Sequence, residues 1–224
     1  AWAMECFEKG LLTPQDTGGL ELRFGNGAAM VEMVRRIAFR EGLGDLLAEG
    51  SARAAQKLGR GSEAWVVAVK GQEYPAHMPE VKPSLSLIYA VNPFGADHMS
   101  ADHDPSYEID GYPGHAERLR ALSLADPQPA RSLNAEKVRF AFYTQCLVSV
   151  SDTLNLCQFV WGPSWQLYGP NQTVELVRAA TGWDVSLFEL FKLGERRLNM
   201  LRAFNAREGL TRADDTLPVR MEQP

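Results

Sequence analysis

The sequence is most tightly constrained near its far end. Ser186 and Glu189 form an S-x-x-E box, in which a hydroxyl and a carboxylate each satisfy a backbone N–H at a helix start. Behind it Leu187, Leu190, Phe191, Leu198, Leu201 and Phe204 recur at helical spacing, and Gly209 closes the run. The spacing predicts a long helix to about Arg207, with internal ion pairs such as Glu195 with Arg202. Its arginines read as stabilising charges rather than chemistry. The same logic predicts helices over 28–41, capped by Asn26 with Met30, Met33, Val34, Ile37 and Ala38 on one face, and over 45–58. It also predicts helices over 134–150, capped by Asn134 with Val138, Phe142, Cys146 and Val150 inward, and over 173–180. Trp65–Val69 is the one good strand candidate, so the fold class is mainly α with little β-structure.

Between Tyr74 and Pro129 regularity is lost. This stretch holds most of the prolines and all four histidines, with helix expected only near 85–90 and 117–125. Irregular backbone of this length inside a compact protein is usually functional or disordered, and Tyr74, Tyr89, Phe94, Tyr107 and Tyr112 argue against disorder.

Charge narrows the partners. Lys and Arg number 23 against 28 Asp and Glu, a net charge of −5, and no basic stripe suits nucleic acid. No apolar run reaches the roughly 18 residues that cross a bilayer. A cytoplasmic protein without nucleic-acid or membrane partners is expected. Cys6, Cys146 and Cys157 are too scattered for a disulfide framework, and their plainest reading is as three buried thiols.

Two segments share a layout. Asp16-Thr17-Gly18-Gly19-Leu20-Glu21 and Asp152-Thr153-Leu154-Asn155-Leu156-Cys157 each run from an acid through Gly or Asn to Leu and then an acid or thiol. Gly and Asn accept left-handed backbone most readily, so both segments suit the same tight turn after a helix, with the leading carboxylate able to accept from a ligand's N–H groups. The pattern suggests a two-fold site; its plain structural reading is two capping turns. A second cluster packs seven ionisable groups into residues 97–110: Asp97, His98, Asp102, His103, Asp104, Glu108 and Asp110. On a helix His98 and Asp102 would stand at i, i+4 and could share a metal, which leaves open a metal-dependent hydrolase using His98, Asp102 and His103. A noncatalytic helical interaction module is the third possibility. His77 and His115 lie beside prolines without acidic neighbours and read as structural or exposed.

Five ordered blocks then carry a resemblance: Ala3-Met4-Glu5 to Gly10, Gly42-Leu43-Gly44-Asp45-Leu46-Leu47-Ala48-Glu49-Gly50, Val69-Lys70-Gly71-Gln72-Glu73, Gly95-Ala96-Asp97-His98, and Gly194-Glu195-Arg196 through Arg202-Ala203-Phe204-Asn205 to Asp214-Asp215-Thr216-Leu217-Pro218. Together they resemble the C-terminal part of the aldehyde ferredoxin oxidoreductase family, tungsten or molybdenum bis-pterin enzymes. The resemblance implies that Asp16, Gly19, Leu20 and Glu21 bind one pterin and that Asp152, Asn155 and Leu156 bind the other, with Glu21 and Asn155 departing from the usual Asp and Gly. It implies that Cys157 ligates a 4Fe-4S cluster and that His98 donates a proton or hydrogen bond near the metal. The implied reaction is oxidation of an aldehyde to a carboxylic acid with electrons passing to ferredoxin or a similar acceptor, and a homodimer is compatible with it. Residue 1 is Ala and opens inside a helix, and the family's C-x-x-C-x-x-x-C group, its β-rich pterin-cradling domain and its proposed catalytic glutamate do not occur in residues 1–224. The expectation is therefore a C-terminal helical fragment, cofactor-free and inactive by itself, which needs the N-terminal region of the same enzyme. Its expected division is two intertwined helical subdomains, 1–70 with 130–160 against the remainder.

Overall fold

The computed structural model describes residues 1–221 and divides into two units, one made of Ala1–Tyr74 with the chain from Leu217 onward, the other of Pro75–Thr216. Residues 130–160, grouped by the sequence reading with the first 70, lie within the second unit.

The first unit is built from short helices: α1 (Trp2–Glu8), α2 (Gly27–Phe39), α3 (Leu43–Leu47) and α4 (Ser51–Leu58). Asn26 caps α2 as expected, its side chain accepting from Ala29 N at 3.1 Å. The single helix expected over 45–58 is two, because Gly50 takes a φ of 88° between them. The expected strand is also shorter. Ser62–Trp65 is a 3₁₀ turn, and only Ala68–Val69 pairs, antiparallel with Gln72–Glu73. Lys70 and Gly71 both have positive φ, 50° and 80°, the two-residue turn whose twist suits a hairpin. Trp2, Cys6, Phe7, Leu12, Leu22, Met33 and Leu43 form the core. Met30 and Val34, expected to face inward on α2, are instead 52% and 60% exposed and line an apolar cleft of about 440 Å³ with Leu22 and Phe24.

The second unit centres on α7 (Ala135–Thr153) and α9 (Leu187–Arg207), flanked by α5 (Pro83–Val91), α6 (Pro113–Arg120) and α8 (Pro170–Thr181). The box that opens α9 forms as read: Ser186 Oγ accepts from Glu189 N, and the Glu189 carboxylate accepts from Ser186 N at 2.8 Å. Asn134 likewise caps α7 through Lys137 N at 3.0 Å. The stripe read for α7 is only half right. Cys146 and Val150 are buried, whereas Val138 and Phe142 are exposed, because the second half of α7 is enclosed on several sides and buries Thr144, Ser149 and Ser151 as well. Thr144 Oγ1 and Ser151 Oγ donate back along the helix, Thr144 to Phe140 O at 2.8 Å, whereas Ser149 Oγ accepts from Arg197 Nη1 at 3.2 Å. α9 lies tight against α7 at Gly194, where a Cβ would stand 2.0 Å from the Cys146 carbonyl oxygen. Among the described residues no helix is long and apolar enough to cross a membrane.

Candidate functional site

Each of the paired segments is a turn in its own right. In the first unit Asp16 Oδ2 accepts from Thr13 N and Thr13 Oγ1, both at 2.8 Å, and from Arg60 Nη1 at 3.1 Å. Those bonds from Thr13, followed by Arg60, pull the Asp16 pKa down to about 2. Oδ1 takes no hydrogen bond among the described residues, so one carboxylate oxygen remains available to an N–H donor. Gly18 and Gly19 follow with φ of 60° and 83°, Gly19 with open space where a side chain would be. Leu20 packs on the core, and Glu21 is exposed.

In the second unit α7 ends at Thr153, and Asn155 takes the left-handed turn with φ 55°. Asn is among the few non-glycine residues that tolerate this backbone, which is how it stands where the first segment has Gly19. Asp152 is held from two sides. Gln158 Nε2 donates to Oδ1 at 2.7 Å, and Arg197 of α9 pairs with Oδ2 at 3.1 Å. Leu156 is half-buried, as Leu20 is, and Cys157 is exposed, against the plainest reading of three buried thiols. The other two are buried as expected, and burial raises them to about 11 (Cys6) and about 12 (Cys146).

The irregular region carries His98 into a group that sequence spacing does not reveal. The His77 ring stacks on that of His98 at 4.7 Å and 25°, and His103 lies 4.6 Å from His77. Lys82 Nζ stands 2.8 Å from His77 Nδ1 and 2.9 Å from His103 Nδ1. Burial, and then the charge of Lys82, lowers the His103 pKa to about 4. His98, His103, Gln158, Trp161, Trp165 and Gln166 line one small pocket of about 10 Å³, roughly the room of a single water. Through Gln158, the wall that holds His98 also touches the Asp152 carboxylate.

The metal-hydrolase arrangement does not form. Residues 97–103 are turns rather than helix, so His98 and Asp102 are not on one helical face. Both ring nitrogens of His103 are engaged, by Lys82 and by the His98 carbonyl. Asp102 turns away, accepting from Ser164 Oγ, and among the described residues no three His, Cys, Asp or Glu side chains are grouped to hold a metal. Asp102 is instead a buried carboxyl whose Oδ1 has no hydrogen-bond partner among the described residues.

Burial pushes the Asp102 pKa up from 3.8 to about 6, partly offset by hydrogen bonds from Ser164, Gln166 and Trp165. A carboxyl raised on folding leaves the fold fully stable below the unfolded value of 3.8, and stability is lost as pH rises through 6. Asp102→Asn removes that titration. Its stability relative to wild type is expected to increase by about 2 kcal/mol from pH 4 to pH 7. Urea unfolding at the two pH values measures it; an equal difference at both would refute the assignment.

The residues that sequence reasoning missed are those that hold the named ones: Arg60, Arg197, Gln158, His77 and Lys82. Arg197 had one signal, a glycine in the middle of a long helix followed one turn later by an arginine. Gly194 marks where two helices touch, and Arg197 reaches from there to the end of α7.

The family described as "Aldehyde ferredoxin oxidoreductase, domains 2 & 3" matches residues 1–224. The chain belongs to this family. It is 38% identical over its whole length to the tungsten-containing aldehyde ferredoxin oxidoreductase of Pyrococcus horikoshii, of which it covers 35%. Against the aliphatic sulfonate oxidoreductase WOR-like subunit of Pyrococcus furiosus it is 28% identical and covers 31%. It thus spans about a third of the length of these curated relatives. Among solved structures, the active-site complex BamBC of benzoyl coenzyme A reductase, with 1,5-dienoyl-CoA, shares the fold at a TM-score of 0.74 and 22% identity. That match covers 98% of this chain and 36% of the other. An aldehyde ferredoxin oxidoreductase family member is part of an enzyme, so the noncatalytic module gives way.

Proposed function

We propose that this chain is the C-terminal part of a cytoplasmic enzyme that oxidises aldehydes to carboxylic acids. One observation carries the reading: the pocket that contains His98 is walled by Gln158, whose amide holds the Asp152 carboxylate at the head of the turn bearing the exposed Cys157. A proton-transfer group, an acceptor for ligand N–H groups and a free thiol are thereby joined within one unit.

The residues suit a bis-pterin and an iron-sulfur cluster. Asp16 and Asp152 are carboxylates fixed by arginines at the surface of tight turns, and carboxylates are acceptors for the amino and ring N–H groups of a pterin. Gly19 and Asn155 would let ligand approach the backbone, with Leu20 and Leu156 supplying apolar contact and Glu21 a further acceptor. Cys157 would give one thiolate to a 4Fe-4S cluster, the other ligands coming from elsewhere in the longer enzyme. When bound, the tungsten or molybdenum bis-pterin would supply two-electron oxidation with oxygen from water, and the cluster would supply one-electron carriage toward ferredoxin or a similar acceptor. His98 would donate a hydrogen bond or proton to the carbonyl oxygen of the aldehyde. By itself the chain holds one turn for each pterin and one of the four cluster thiols, and is proposed to be cofactor-free and inactive.

Metal analysis of the full-length enzyme, prepared anaerobically, tests this. Tungsten or molybdenum together with iron is expected, and Cys157→Ser should lower the iron content and remove the cluster's electron paramagnetic resonance signal. A full-length protein free of all three metals overturns the reading.

A further inference from the structure

We propose that Lys82 is a positioning residue for His98, acting through His103 on its peptide and through His77 on its ring. The first arm is fixed by donor and acceptor chemistry. His103 Nε2 lies 2.9 Å from the His98 carbonyl oxygen, which can only accept, so the proton is on Nε2. In the neutral ring Nδ1 is then a lone pair, and it faces Lys82 Nζ at 2.9 Å, so the lysine donates. The chain of bonds runs one way, from Lys82 through the His103 ring to the His98 peptide. In the second arm Lys82 donates to His77 Nδ1 at 2.8 Å, and that ring stacks on His98 at 4.7 Å. The His77 peptide is itself pinned, its carbonyl accepting the Tyr89 hydroxyl at 2.9 Å.

The setting of Lys82 favours this role over that of an ordinary surface lysine. It is half-buried, and burial lowers its pKa. It makes no ion pair among the described residues: the adjacent acid, Asp104, is taken by Lys137 and Ser84. It also sits at the N-cap of α5 with Pro83 behind it, the end of a helix where the backbone dipole disfavours a cation. A lysine there, spending two N–H groups on two imidazoles that both lead to His98, is placed against its own electrostatic preference.

The inference rests on the role given above to His98, and it is tested in the full-length holoenzyme. Lys82→Met is expected to lower kcat by about tenfold or more, with KM within about twofold and full metal content, since small misplacements of a reacting group cost rate rather than binding. Lys82→Ala should recover part of that loss in methylammonium, which a general loss of packing would not do. A crystal structure of Lys82→Met gives a readout independent of activity: the His77 ring should leave its stack on His98, and the His103 Nε2 contact to the His98 carbonyl should lengthen. Wild-type kcat in Lys82→Met, or unchanged rings in its structure, overturns the proposal. If Lys82→Met does not fold, Lys82→Leu, which likewise has no donor, decides by the same ring geometry. Should the wild-type enzyme prove free of tungsten and molybdenum, the function falls, while the ring geometry still reports on Lys82.

Discussion

Lys137→Met is expected to destabilise the chain by about 3–5 kcal/mol. Lys137 and Asp104 are both fully buried, with Nζ 2.6 Å from Oδ1, a close ion pair rather than an aligned hydrogen bond. Methionine keeps much of the side chain's volume, so the loss is electrostatic: it leaves the Asp104 carboxylate in the interior without its ion pair, hydrogen-bonded among the described residues by Ser84 alone, through backbone N–H bonds at 3.2 Å and a hydroxyl at 2.6 Å. Replacing both partners, Asp104→Asn with Lys137→Met, removes the stranded charge and should return most of the loss, because a buried pair often contributes little net stability over neutral groups. A double-mutant cycle from urea unfolding separates these terms; a single variant within about 1 kcal/mol of wild type would show that the pair is open to water. The effect reaches the site as well. Asp104 follows His103 directly and ties the start of α5 to α7, so its release should loosen the segment that carries His103.

Gly194→Ala is expected to cost about 3 kcal/mol or more, despite alanine being the better helix former by about 1 kcal/mol. The new methyl would meet the Cys146 carbonyl oxygen at 2.0 Å and Val150 Cγ2 at 3.1 Å. The first of these is backbone of α7, which cannot rotate aside, so α9 must move away bodily. Three residues further along α9 lies Arg197, whose 3.1 Å pair with Asp152 depends on that spacing. Equilibrium unfolding measures the stability, and pterin content of the full-length variant reports whether the Asp152 turn keeps its ligand. A variant as stable as wild type would mean that the helices pack with room to spare.

What could be read from the sequence was whatever depends on neighbours in the chain. The Ser186 box and the Asn26 and Asn134 caps work within three residues, so they appear where they were expected. Positive φ at Gly19 and Asn155 is also local, and so the likeness of the two turns was legible. The faces of α2 and α7 were not. Periodicity finds one apolar stripe, whereas α7 is enclosed on several sides and α2 leaves Met30 and Val34 outside its core. The histidine group was hidden for a different reason. His77, Lys82, His98 and His103 are brought together by turns and irregular backbone, where no period links one position to the next, and His77 looked isolated because its partners are bases rather than acids.

The unequal burial of the three thiols bears on how the protein meets air. Cys6 and Cys146 are enclosed, and a thiol held that far above its ordinary pKa is slow to form the thiolate that peroxide or dioxygen-derived oxidants attack. Cys157 stands in solvent, so thiol oxidation is channelled to one of the three cysteines, along the sulfenic-to-sulfonic sequence. Among the three thiols, exposure to air would strike the proposed cluster ligand first and leave the two buried ones reduced, so the full-length enzyme would lose cluster iron before its core cysteines were touched.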